Sequence, residues 1–239
     1  MSRSWAILTS PRPSGWLGRL DPRAKLAWFL CCFVLAVALR GPASLGLLAL
    51  AVLGLAWLGG ILRGVAATLG ALAGFVALVT ALDVVYFGPA GGLLAGLKFA
   101  LAIAIFATFL QTTPPEELSA GLVRLGVPYT FAFTLAAGAR FVPTVAREAG
   151  DILDAYRARG VPFEESPLGR VRTYARILVP LVVSTIARSI RLAEAMEARA
   201  FGYSPRRTPL RELRLGRRDW LLLASTAALA ALAVAAEML

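Results

Sequence analysis

Residues 65–110 read VAATLGALAGFVALVTALDVVYFGPAGGLLAGLKFALAIAIFATFL, and Asp83 and Lys98 are the only charges among them. A helix that crosses a bilayer needs about 20 mainly apolar residues. The stretch is too long for one such helix, and Gly88-Pro89 divides it into runs at 65–87 and 91–110. Proline ends helices because it lacks an N–H and fixes φ. Upstream lie two more apolar runs, 26–39, closed by Arg40-Gly41-Pro42, and 44–62. Downstream, Thr112-Thr113-Pro114-Pro115 closes the fourth run, and a last run occupies 220–236. The expected fold is all-α: a polytopic helical membrane protein with about five spans.

Composition agrees. Of 239 residues, 58% are apolar and 16% charged, yet the net charge is +11 from 25 Lys+Arg against 14 Asp+Glu. Soluble domains carry about 25% charge. The positive charge is placed unevenly. Arg3, Arg12, Arg19, Arg23 and Lys25 precede the first run, and 111–218 holds 17 arginines; only Arg40, Arg63 and Lys98 lie elsewhere. Cytoplasmic loops of membrane proteins are rich in Lys and Arg. Five spans place the N-terminus, the Arg63 turn and 111–218 on the cytoplasmic side. Arg40, the turn at 88–92 and Glu237 fall outside. This predicts a multi-pass membrane protein, not a nucleic-acid binder. The first apolar run starts well inside the chain without a cleavage pattern, so the N-terminus is expected to remain cytoplasmic.

Several chemistries are excluded. There is no histidine, which removes Ser-His-Asp triads and HExxH zinc sites. Cys31 and Cys32 are adjacent in an apolar run and read as buried small hydrophobes. No GxxxxGK[ST] phosphate loop occurs. No catalytic residue, metal ligand or cofactor is expected. Asp83 and Lys98 read as outer-leaflet structural or snorkelling residues.

Residues 111–218 contain apolar stretches at 131–145, interrupted by Arg140 and Pro143, and at 177–190, interrupted by Pro180 and Arg188. An Arg at mid-bilayer costs about 2.5–3.5 kcal/mol on insertion scales. These read as long amphipathic helices beneath the membrane domain, giving divisions at 1–110, 111–218 and 219–239. A hairpin crossing, with seven spans, is the alternative. Glycines four apart let helix backbones approach closely. They occur at Gly60/Gly64, Gly70/Gly74, Gly88/Gly92 and Gly92/Gly96, and Gly70/Gly74 is the favoured packing pair.

Two helix ends repeat each other. The first is Asp154-Ala155-Tyr156-Arg157-Ala158-Arg159-Gly160; the second is Ala195-Met196-Glu197-Ala198-Arg199-Ala200-Phe201-Gly202. Each offers Ala-Arg-small before a proline, Pro162 or Pro205. Small neighbours would let the helix end enter a groove on a partner, where the Arg fork pairs with a carboxylate. A cation and a glycine cap also simply complete a helix C-terminus.

These blocks together resemble the T component, the membrane scaffold, of energy-coupling factor (ECF) transporters. The resemblance rests on Leu20-Asp21-Pro22-Arg23-Ala24-Lys25-Leu26, Thr112-Thr113-Pro114-Pro115-Glu116-Glu117-Leu118 and Ala139-Arg140-Phe141-Val142-Pro143-Thr144. It also rests on the pair Ala158-Arg159-Gly160 and Ala198-Arg199-Ala200, in family order. Ala200 stands where many members have glycine. The resemblance implies a non-catalytic subunit with two cytoplasmic ABC ATPase partners docked at Arg159 and Arg199. It also implies a membrane S component, held by the spans, that binds a vitamin or transition metal such as biotin, cobalt or nickel. Gly70 and Gly74 are then candidates for S-component packing.

Two other readings use the same residues. Glu148-Ala149-Gly150, with Gly160 further on, is loosely similar to the coupling loop of conventional ABC permeases. Glu116-Glu117 resembles the glutamate pair of intramembrane prenyl-protein proteases, but position 121 is Gly and histidine is absent.

Overall fold

The computed structural model describes residues 16–161, 167–203 and 215–238; Arg3, Arg12, Pro162 and Pro205 lie outside them. The described residues form a short 3-10 turn, Trp16–Arg19, and seven α-helices, with no strand. They fall into two compact units, one comprising residues up to 136 with those from 215 onward, the other residues 137–203.

The first unit is the apolar bundle. Its helices are α1 (Pro22–Ala38), α2 (Pro42–Leu58), α3 (Leu62–Thr112), α4 (Pro115–Arg124) and α7 (Arg217–Met238). Three of them, α1, α2 and α4, begin at prolines, whose missing N–H costs nothing at a helix start. α1 and α2 each pack against both α3 and α7. Trp28, Cys32, Leu45, Leu48, Val52, Leu101 and Ile105 are buried at the centre, while Leu50, Trp57, Val85 and Tyr86 face outward. An apolar exterior around an apolar core is what lipid as solvent permits. Among the described residues, α3 and α7 are long and apolar enough to cross a membrane, and α2 is a shorter apolar helix.

α3 is two antiparallel halves folded back at Gly88, which has φ 77 and ψ 173 and precedes Pro89. Gly92 lies against Val84, Gly96 against Thr80 and Gly64 against Gln111. Phe75 and Phe99 meet edge-on with ring centroids 5.5 Å apart. The pairings step evenly away from position 88, as a hairpin requires. The close backbone approach suggested by glycine spacing therefore occurs at Gly92 and Gly96. Gly70 and Gly74 have open space where a side chain would project, so among the described residues none packs there.

The second unit holds most of α5 (Tyr129–Ala158) and all of α6 (Pro167–Glu197). Both continue through their prolines, Pro143 and Pro180. α6 exposes Leu178, Val179, Val183, Ile186 and Ile190. α5 is one uninterrupted helix whose first turns belong to the bundle unit and whose remainder belongs to the second.

Candidate functional site

The two helix ends singled out by sequence have the same backbone form. At the end of α5, Gly160 N–H donates to Arg157 O at 3.0 Å and Val161 N–H to Tyr156 O at 3.2 Å. At the end of α6, Ala200 N–H donates to Glu197 O and Phe201 N–H to Met196 O, both at 2.9 Å. These are the paired bonds of a Schellman motif, which requires a left-handed residue just past the helix. That residue is Gly160 (φ 72) in one and Ala200 (φ 56) in the other. Ala200 is the only non-glycine residue with positive φ among the described residues. The third position of each Ala-Arg-small motif is thus small because the backbone turns left-handed there, a reason the groove argument from sequence did not supply.

Arg159 and Arg199 occupy the last position before the left-handed residue in each motif. Both side chains are exposed, and neither has a hydrogen-bond or ion-pair partner among the described residues. Two other arginines of this unit are committed. Arg157 pairs with Asp154 at 3.0 Å and Arg188 with Glu148 at 3.1 Å.

The Glu148–Arg188 pair joins α5 to α6. A hydrogen bond with Ser184, followed by the bond and charge of Arg188, holds the Glu148 carboxyl below the usual carboxylate range. The interval from Glu148 to Arg159 equals that from Arg188 to Arg199, so equivalent positions of the two helices meet. Commitment of Glu148 to Ser184 and Arg188 also gives a local account of the residue that suggested a permease coupling loop. Alongside, Phe141, Val145 and Leu153 of α5 and Ile177, Leu178 and Leu181 of α6 line a groove of about 840 Å³. Such a lining suits an apolar surface, not a polar solute.

Within the bundle unit, the two sequence blocks that flank the spans come together. Asp21 caps α1, its Oδ1 accepting Arg23 N–H at 2.9 Å, and its own N–H donates to Asp219 Oδ1 at 2.8 Å. Asp219 Oδ2 accepts Gly216 N–H at 2.7 Å. Lys25 Nζ donates to Thr112 O at 2.9 Å and lies 3.8 Å from Glu117 Oε2. All four charged residues are buried. A cation at the last carbonyls of α3 also suits the negative end of that helix. The network ties the starts of α1, α4 and α7 to the end of α3. Sequence reading quoted these blocks but missed Asp219; the signal was a lone acid at the start of an apolar run.

At the other end of the bundle unit, Glu237 near the close of α7 accepts the N–H groups of Arg40 and Gly41, at 2.8 and 2.9 Å. It also accepts the Ser44 hydroxyl at 2.8 Å. Lys98 Nζ donates to Val37 O at 3.3 Å, in the last turn of α1. Asp83 is half-buried and makes no ion pair with Lys98. Among the described residues, no three His, Cys, Asp or Glu side chains are grouped to hold a metal.

Comparison with known proteins bears on this arrangement. The family model described as cobalt transport protein, CbiQ, matches residues 13–210. The energy-coupling factor transporter transmembrane protein EcfT of Bacillus subtilis (strain 168) is 32% identical, the match covering 90% of this chain and 91% of that one. EcfT of Lacticaseibacillus paracasei is also 32% identical, over 86% of this chain and 88% of its own length. A putative ABC transporter ATP-binding protein of Bifidobacterium longum is 32% identical over 87% of this chain, which spans only 30% of that longer protein. With matches of this extent, the chain belongs to the CbiQ family, as the transmembrane T component of an energy-coupling factor transporter and not as an enzyme.

Proposed function

We propose that Arg159 and Arg199 are the contacts through which this T component engages two cytoplasmic ATP-binding subunits, whose hydrolysis of ATP it converts into movement of a membrane S component. The observation that carries the reading is the pair of identically formed helix ends, each presenting an exposed guanidinium with no partner among the described residues. A bidentate fork at such a tip suits an acidic groove. The Bifidobacterium longum relative supports an ATP-binding partner, because a region similar to this chain lies within a protein of that name.

In this reading 111–218 is the coupling region, flanked by membrane parts at 1–110 and 219–239. The N-terminus and coupling region face the cytoplasm of a prokaryotic cell, as the arginine distribution favours. The open strip at Gly70 and Gly74 is the surface we assign to the S component, since small residues with no neighbour among the described residues admit another helix closely. The S component sets the cargo, a vitamin or a transition-metal ion.

The test uses the chain reconstituted in vesicles with its ATP-binding and S subunits. Arg159→Ala and Arg199→Ala each lower coupled uptake, and the double variant abolishes it while still inserting. Removing one partner of a buried interfacial charge pair costs about 2–5 kcal/mol. Full uptake by the double variant overturns the reading.

A further inference from the structure

The turn that follows Arg199 does more than end a helix. Residues 199–203 read Arg-Ala-Phe-Gly-Tyr, with Ala200 at φ 56 and Gly202 at φ 95. Two left-handed residues at alternate positions reverse the chain, and Tyr203 N–H donates to Ala200 O at 3.2 Å to close the turn. Tyr203 ends up 90% exposed, more than any other large hydrophobic residue among those described. Phe201 beside it is 39% exposed. An aromatic ring held in water on an ordered backbone, next to an exposed arginine, has the composition of a protein-interface hot spot. Tyrosine suits such a place because its ring is apolar and its hydroxyl tolerates the rim.

We propose that Tyr203, with Phe201, is an aromatic anchor that fills an apolar pocket on the ATP-binding subunit beside the acidic group that receives Arg199. This rests on the reading of Arg199 given above. The sequence repeats the arrangement. The 40-position offset that relates Glu148 to Arg188 also relates Arg159 to Arg199 and Phe163 to Tyr203; Phe163 lies outside the described residues. A membrane surface is the other class of occupant for an aromatic and an arginine. The exposed Glu194 and Glu197 in the last turn of α6 oppose it, since anionic lipid repels acids. An acidic groove contacted by Arg199 alone does not require a uniformly basic tip.

The chain in lipid nanodiscs, with its purified ATP-binding subunits added, tests the proposal. Affinity is measured for wild type, Tyr203→Ala, Tyr203→Phe and Arg199→Ala, at low and high salt and in neutral and anionic lipid. Tyr203→Ala is expected to weaken binding at least about tenfold, equally in both lipids, with Tyr203→Phe close to wild type. That loss persists in high salt, whereas the loss from Arg199→Ala shrinks as salt screens the pair. Because Tyr203 packs on so little, its removal does not threaten the fold. Wild-type affinity in Tyr203→Ala alongside a weakened Arg199→Ala overturns the anchor and leaves the coupling reading standing. A Tyr203→Ala loss confined to anionic lipid overturns it in favour of the membrane. If wild type does not bind the ATP-binding subunits, or if no variant changes affinity, the coupling reading itself fails.

Discussion

Ala200 carries a methyl group in a backbone conformation that L-residues avoid by about 1–2 kcal/mol. Ala200 is exposed, so Ala200→Gly should stabilise the α6 end. Part of the gain is offset by the greater unfolded-state freedom of glycine, leaving about 0.5–1 kcal/mol. The reciprocal change, Gly160→Ala, meets open space and should cost a similar amount through φ alone. Thermal unfolding of the purified protein checks both, with opposite shifts expected from one methyl group. The arginines of these motifs were legible in the sequence because they recur at one interval with small neighbours. The reason for the small third residue was not, because φ leaves no mark on residue pattern beyond a preference for glycine, and here one copy is alanine.

Among the helices, α3 shows what spacing can and cannot tell. The break at Gly88-Pro89 was readable, since proline and a left-handed glycine are local signals. Which glycines the packing uses was not, because glycines four apart mark a face without saying what stands opposite. At Gly92 an added side chain would meet the backbone of Val84, which cannot move aside, whereas at Gly70 and Gly74 it would meet nothing. Gly92→Ala should therefore lower the stability of the isolated protein by about 1–3 kcal/mol, the usual cost of overpacking. Gly70→Ala and Gly74→Ala should leave it unchanged. Chemical or thermal unfolding in mild detergent distinguishes the two cases. Equal effects at Gly92 and at Gly70 or Gly74 would refute the hairpin packing. α5 and α6 show the same limit: their amphipathic character followed from apolar runs broken by arginine, but the pairing of Glu148 with Arg188 needed the third dimension.

Across the whole bundle unit, closure depends on α7 as much as on the long apolar runs. One end is tied through Asp219 to the start of α1, and the other through Glu237 to the turn between α1 and α2. Asp219→Ala leaves the N–H groups of Asp21 and Gly216 without their carboxylate. An unsatisfied buried donor costs about 1–3 kcal/mol. Glu237→Ala acts at an exposed site and should cost less. The residues sit at opposite ends of one helix and share no partner, so the double variant should show the sum of the two effects. Unfolding midpoints for the two single variants and the double variant test this; strong coupling between them would mean that the ends are not independent. The division of charge along the chain set the expectation of which loops share a side, because Lys and Arg bias orientation in a membrane. It did not indicate the ties between first and last helices, which join residues 198 and 197 positions apart.

The hydrogen bonds that form the two arginine tips run from backbone to backbone. Form and charge are thereby carried by separate parts of the chain: the turn fixes where the tip points, and the side chain alone decides what it meets. Such a tip is a key blank. In the coupling reading proposed above, its teeth can be recut by single substitutions at Arg159 or Arg199 while the shank stays as it is, so that a transporter lineage could exchange one ATP-binding subunit for another without rebuilding the helix ends that receive it.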